Sequence, residues 1–173
     1  QLTDTAHEVG AIFILDCVAA GALWVDMQAL AIDVLITAPQ KGWTSTPCAG
    51  VVMLSDRALE RMAVTESDSF TLDLKKWHNI MAAYLNGSHA YHATMPTDGL
   101  ATFHATYQEM TTTGFDVLKA RQIDLGNKTR SLMDDYGFKS LAAEGFKSPT
   151  VVVLHTDRAD FKNGSAFADV GMQ

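Results

Sequence analysis

Cysteine is scarce in this chain, with only Cys17 and Cys48 among 173 residues. Two thiols at that separation form neither a disulfide framework nor a zinc-ligand spacing, and reduced thiols in an intracellular protein are the simplest account. Proline is scarce as well, with four residues, so no Pro-rich linker divides the chain. No basic run of five or more interrupts a net charge of −7, which argues against a nucleic-acid groove and against an anionic-membrane anchor. There is no apolar stretch of about 18 residues and no recognisable signal peptide. The expected partners therefore include no nucleic acid and no membrane. The expected location is cytoplasmic, with a peroxisome or mitochondrion as the alternative in a eukaryote. Internal repeats and low-complexity segments are also missing.

What remains is an ordinary globular composition with alternating strand-like and helix-like segments. Ala11–Leu15 and Asp33–Thr37 are continuous apolar runs, as in a parallel sheet covered on both faces, and Ala22–Leu30 between them reads as a short helix. Gly50–Leu54 reads as a further buried strand. Ser55 then caps a helix to about Met62, and Asp73 caps another over Leu74–Leu85 that Asn86-Gly87 ends. The His89–Pro96 segment is irregular. Thr97 opens a long helix, Gly114 interrupts it, and a second long helix runs from Phe115 to Tyr136. A short strand near Lys139–Ala142, a strand over Thr150–His155 and a helix from Phe161 to Met172 complete the expectation. By composition alone the chain would be a generic α/β binding domain.

The chemistry-bearing pair is Asp16, which closes the first apolar run, and Lys41, in a Gly-bounded turn after the second, 25 positions later. A carboxylate at one strand end can hold a pyridine nitrogen protonated, and an amine at the next can bond an aldehyde, which is what a pyridoxal phosphate site needs. Open α/β sheets bind ligands at such C-terminal edges. An unprotonated lysine amine calls for burial and nearby positive charge. The plainer readings are a solvated loop lysine and an aspartate capping a turn.

Ile14 to Gly21, Val34 to Trp43 and Pro47 to Ser55, together with Tyr91, Thr94 and Pro96, resemble the class V pyridoxal phosphate aminotransferases. Within that class the serine–pyruvate and alanine–glyoxylate group is the most similar, and the resemblance runs along almost the whole chain. It implies an α/β fold: a fragment of a fold-type I enzyme, with residues 1–113 the C-terminal part of the large parallel-sheet, cofactor-binding domain. Residues 114–173 would be an incomplete small α+β domain. Both ends of the parent would lie outside this sequence.

The resemblance also implies pyridoxal 5′-phosphate as cofactor, with Lys41 the Schiff-base lysine and Asp16 the partner of the ring nitrogen. Gln40 would reach the phosphate, Val18 would stand beside the ring where relatives carry a serine, and Tyr91 with Thr94 would reach a neighbouring subunit's phosphate across a homodimer interface. Ala38-Pro39 replaces the family's frequent Gly-Ser, and the proline removes one backbone donor. For Gln40 the plain alternative is a hydrogen bond within the turn, and for Tyr91 and Thr94 it is a capped turn.

The implied reaction moves an amino group from alanine or serine to glyoxylate or pyruvate. Alternatives are an aminophosphonate aminotransferase, a cysteine desulfurase, which would need a mobile nucleophilic cysteine, and a non-catalytic truncated assembly module. His89 and His92 lack a third ligand and read as structural, so no metal is expected. Trp24, Trp43 and Trp77 read as packing groups, with Trp43 bordering the lysine turn.

Overall fold

The computed structural model describes residues 1–171. The chain divides into two compact units, Gln1–Thr112 and Thr113–Gln173. The first holds α1 (Leu2–Glu8), a sheet of β1 (Ile14–Asp16), β2 (Val34–Thr37) and β3 (Val51–Leu54), then α2 (Asp56–Ala63), α3 (Leu74–Leu85) and all but the last residue of α4 (Thr97–Thr113). The second begins with α5 (Phe115–Asp135) and ends with the short helices α6 (Ala159–Lys162) and α7 (Ser165–Ala168).

Strand order is β1-β2-β3. β1 and β2 run parallel, pairing Ile14 with Val34 and Asp16 with Ile36. β3 runs antiparallel to β2, with Val34 opposite Leu54 and Thr37 opposite Val51. The sheet is parallel at β1–β2, as expected, and β3 departs from that direction for a reason that lies in the connection. Residues 38–50 contain no helix, whereas a parallel return needs a crossover of a dozen or more residues, usually helical. The chain turns at the lysine segment and comes straight back.

The expected helix over Ala22–Leu30 is also absent. A single helical turn forms, with Leu30 N donating to Asp26 O at 3.1 Å while Asp26 Oδ1 accepts from Ala29 N at 3.0 Å. Ala31 stops it in the left-handed region, at φ 51°, and Ile32 N reaches back five residues to Met27 O. That is a Schellman ending, which usually falls on glycine.

The helix caps match expectation. Ser55 Oγ accepts from Ala58 N at 3.2 Å, and Asp73 Oδ1 accepts from Lys76 N at 3.1 Å. Each satisfies one of the backbone donors that a helix start leaves without a partner. α3 ends at Asn86, with Gly87 at φ 73°.

In the second unit Gly114 (φ 92°) opens α5, and Gly137 (φ 81°) follows its end. The strands expected near Lys139–Ala142 and Thr150–His155 meet only as an antiparallel bridge between Ser140 and Leu154. Arg130 explains how irregular backbone is tolerated there. Its buried guanidinium donates to Ser148 O at 2.6 Å, to Val151 O at 2.9 Å and to Ser140 Oγ at 3.1 Å, supplying donors that a ladder would otherwise provide. The helix expected from Phe161 to Met172 is instead α6 and α7, divided at Asn163-Gly164, with Gly164 at φ 79°. Met172 lies outside the described residues.

The apolar core of the first unit is small: Ile32, Leu35, Trp43, Ala58 and Met110 are its buried hydrophobic residues among those described. Buried beside them is Asp33, only 2% exposed. Its Oδ2 accepts from Phe13 N at 2.8 Å and lies 2.7 Å from His7 Nε2, while Oδ1 accepts from Ser55 Oγ at 3.4 Å and faces Arg57 Nε at 3.6 Å. The Asp33 carbonyl accepts from Ser55 N at 2.9 Å. One residue thus joins α1, the entry to β1, β2 and the start of α2. It also shortens β1, because Phe13 N–H goes to this carboxylate rather than to a strand ladder.

Burial works to raise the Asp33 pKa. The Phe13 hydrogen bond, the hydrogen bond and charge of His7 and the Arg57 charge outweigh it and hold the carboxyl below its ordinary range. A depressed folded pKa stabilises the fold above the unfolded value of about 4, and that contribution drains away as pH falls through the folded value. Asp33→Asn, which turns an amide toward one of these donors, is expected to cost about 2–3 kcal/mol at neutral pH. Urea unfolding measures it. The difference from wild type should shrink as pH falls below about 4, and a variant as stable as wild type at pH 7 would show that the cluster does not hold the fold.

Candidate functional site

β1 and β2 are neighbours and run the same way, so their C-terminal ends open on one edge of the sheet. Asp16 is the last residue of β1 and pairs with Ile36. Lys41 lies four positions beyond Thr37, the last residue of β2, in the turn of residues 39–43. The parallel register therefore brings the loop after Asp16 and the turn bearing Lys41 to the same edge. A backbone contact joins them. A Cβ added to Gly42 would fall 2.1 Å from Gly21 O, so only glycine permits this approach.

The turn itself is held by backbone hydrogen bonds from Lys41 N to Ala38 O (3.1 Å), Thr44 N to Lys41 O (3.3 Å) and Ser45 N to Pro39 O (3.0 Å). Pro39 is fully buried beneath it. Thr44 has φ 50°, a left-handed conformation that is strained for a β-branched residue and costs on the order of 1–3 kcal/mol. Ser45 Oγ is buried with no hydrogen-bond partner among the described residues. Strain and an orphaned hydroxyl in one turn are what stability alone would not retain.

Two expectations of burial fail. Lys41 is exposed. Asp16 is exposed as well, because it shares the outward face of edge strand β1 with Ile14, which is 57% exposed. Asp16 Oδ1 accepts from Val18 N at 2.9 Å, the local cap that such a position invites. No ion pair or hydrogen bond joins Asp16 to Lys41 among the described residues. Val18 is half-buried and Gln40 is exposed.

Tyr91 OH and Thr94 Oγ1 lie 3.2 Å apart on the segment between α3 and α4, with Tyr91 72% exposed. They form one outward hydroxyl pair, and among the described residues neither hydroxyl makes a hydrogen bond to Asp16, Gln40 or Lys41. His92 is structural: Nε2 lies 2.6 Å from Phe70 O, and the ring packs on Phe70 and Trp77 at 4.2 and 5.1 Å. His89 packs on Tyr84 at 5.9 Å. An open cleft of about 670 Å³ lies in the second unit, lined by Tyr136, Lys139, His155, Arg158 and Phe161 among others, and none of the residues expected to act on a cofactor lines it.

Sequence reasoning left two features unassigned. Thr37 Oγ1 accepts a hydrogen bond from Trp43 Nε1 at 3.2 Å, and Asp33 anchors the opposite end of the same strand. An aspartate immediately before an apolar strand, with a serine-capped helix following the next strand, was the signal available for the second.

The donor set fits pyridoxal phosphate: a carboxylate for the ring nitrogen, an amine for the aldehyde carbon and hydroxyls for the phosphate. The close loop approach at Gly42 and the orphaned Ser45 hydroxyl accompany that set. Gly42→Ala is expected to push the Gly21 loop away and to cost about 1–3 kcal/mol, as overpacking does. Urea denaturation tests this, and an unchanged midpoint would mean that the two loops are not in contact.

The sequence model of the family described as aminotransferase class-V matches residues 1–162. The chain is 28% identical over 147 residues to the soluble hydrogenase 42 kDa subunit of Anabaena cylindrica, covering 84% of this chain and 37% of that protein. It is 28% identical over 153 residues to a 2-aminoethylphosphonate–pyruvate transaminase of Pseudomonas aeruginosa, covering 86% of this chain and 39% of that protein. The alanine–glyoxylate aminotransferase structure from Nostoc sp. superposes with a TM-score of 0.81 at 20% identity, over 94% of this chain and 43% of that one. This chain thus spans about two fifths of the length of these proteins. The fold likeness identifies a part of a fold-type I α/β architecture. With nearly its whole length matched, and with an acid and a lysine at adjacent parallel strand ends, the chain belongs to the class-V aminotransferase family.

Proposed function

We propose that the protein containing this chain is a pyridoxal phosphate-dependent aminotransferase that moves an amino group from a small amino compound to a short 2-oxo acid. The observation that carries this reading is the placement of Asp16 and Lys41 at the ends of adjacent parallel strands, with their loops in contact at Gly42 and Gly21. When bound, pyridoxal phosphate supplies an aldehyde that bonds amines and a protonated ring that accepts an electron pair from the substrate carbon. Lys41 would hold the cofactor through its aldehyde carbon, and its amine, when free, would move a proton to and from the substrate Cα. Asp16 keeps the ring nitrogen protonated by placing a carboxylate against it. Gln40 would hold the phosphate from its own subunit and Tyr91 with Thr94 from the neighbouring one, and Val18 would pack beside the ring.

Alanine or serine as donor and glyoxylate or pyruvate as acceptor follow from the serine–pyruvate and alanine–glyoxylate resemblance. A second reading, an aminophosphonate as donor, is favoured by the similarity to the 2-aminoethylphosphonate–pyruvate transaminase. The two share a short 2-oxo acid as acceptor. A desulfurase is disfavoured at Cys17, where burial and the neighbouring Asp16 charge both raise the thiol pKa and so deplete the nucleophilic thiolate.

Borohydride tests the central assignment. It should reduce the C=N bond that Lys41 forms with the cofactor aldehyde, with loss of one water, and fix the cofactor to the peptide that contains Lys41. Label on another lysine of an active enzyme would sink the reading.

A homodimer with shared sites is the proposed assembly. It is supported by the outward Tyr91–Thr94 pair and by the exposed apolar side chains of α3, Met81 at 56% and Leu85 at 80%. Mixing Lys41→Ala subunits with Tyr91→Phe/Thr94→Ala subunits should then restore about a quarter of wild-type activity, because half of the random pairs carry one intact site. Mixtures as inactive as their parents would show that each subunit completes its own site.

A further inference from the structure

Lys41 is exposed within this chain, so what this chain contributes to aiming its amine acts through the turn that carries it. Two residues away in sequence, Trp43 is 6% exposed, the most deeply placed aromatic side chain of that segment. Its indole N–H donates to Thr37 Oγ1 at 3.2 Å, and Thr37 is the buried last residue of β2. Aromatic rings pack around the indole, among them Trp24 at 5.6 Å from the loop after β1, and Phe103 at 5.8 Å and Tyr107 at 6.2 Å from α4. We propose that Trp43 is a positioning residue for Lys41, locking the turn onto the end of β2 through Thr37 so that the exposed amine projects in one direction. The proposal rests on the assignment of Lys41 made above.

The physical argument starts from the cost of the turn. Thr44 follows Trp43 in the left-handed region, and Ser45 Oγ is buried without a partner among the described residues. A turn with both features keeps its shape only if its surroundings over-determine it. Pro39, fully buried, fixes one side. The backbone bond from Ser45 N to Pro39 O closes the loop but does not tie it to the sheet. Among the side-chain hydrogen bonds of the turn, the one from Trp43 to Thr37 makes that tie, and the ring cluster prevents the indole from rotating away from it. Trp24 adds a link to the Asp16 side of the site, because it lies on the loop that follows β1.

The test uses the full-length protein with Thr37→Val, Trp43→Phe, the double variant and Thr37→Ser. Two quantities are read: the rate at which the apoprotein couples pyridoxal phosphate to Lys41, trapped by borohydride and mapped to the peptide, and amide exchange at Thr44 and Ser45. Thr37→Val and Trp43→Phe each remove the same hydrogen bond and should slow coupling by about tenfold and speed exchange by a similar factor. The double variant should be no worse than the poorer single, and Thr37→Ser, which keeps the acceptor, should behave as wild type. Should those variants not fold, Phe103→Leu removes one ring from the cluster while leaving the hydrogen bond, and it should slow coupling several-fold. Coupling at the wild-type rate in the variants, or losses that simply multiply in the double, overturns the proposal while Lys41 keeps its role. Wild-type protein that is labelled at a different lysine overturns the Lys41 assignment itself, and the positioning role with it.

Discussion

Everything at the sheet depends on the Asp33 carboxylate, a charge placed where charges are expensive. Removing an ionised group from water costs several kcal/mol unless its lone pairs are answered. Here they are answered by Phe13 N–H, His7, Ser55 and Arg57, drawn from three parts of the first unit: the entry to β1, α1 and the start of α2. Since the donors come from α1, the entry to β1 and the start of α2, the carboxylate is satisfied only when those elements are in register. It therefore selects one alignment of β1 against β2 at their N-terminal ends. With roughly 3.3 Å per residue, an alignment fixed at Asp33 is transmitted about 10 Å along the strand to the Asp16–Ile36 pair. The end of the sheet that holds the fold and the end proposed for chemistry are thus different ends of the same two strands.

That separation explains which features could be read from sequence. The caps at Ser55 and Asp73, and the glycine stops at Gly87, Gly114 and Gly137, were legible because a cap or a left-handed stop is decided within four or five residues. The apolar runs of β1 and β2 were legible as strands, though β1 begins at Ile14 rather than Ala11 because a side chain 20 residues away takes the Phe13 N–H. Features settled by tertiary contact were not legible. Ala22–Leu30 has the composition of a helix, yet Trp24 is used against Trp43 and only a single turn forms. The direction of β3 follows from a helix-free return through residues 38–50, which apolar runs do not encode.

The candidate site shows the same division. Asp16 and Lys41 could be selected from strand ends and spacing, and their common edge follows once β1 and β2 are parallel. The exposure of Asp16 within this chain was not legible, because it follows from β1 being an edge among these three strands with Ile14 and Asp16 on its outward face. Trp43 reads from sequence as a packing group, and its burial agrees with that. Its hydrogen bond to Thr37 became visible only when the turn brought two residues six positions apart side by side.

The departure from the family pattern at Ala38-Pro39 then acquires a physical reading. A Gly-Ser pair before the lysine would leave the turn flexible and rich in backbone donors. Proline removes one donor and fixes its own φ, so rigidity must come with compensation elsewhere. In this chain the compensation is side-chain packing: Pro39 is fully buried, Trp43 is anchored to Thr37, and Gly42 alone stays bare so that the Gly21 carbonyl can approach. A turn held in this way gives up adaptability for a single direction of its lysine. If Gln40 reaches a phosphate, it must do so from a turn whose shape is already set, and ligand selection would then rest on fit to that shape rather than on the turn folding around the ligand.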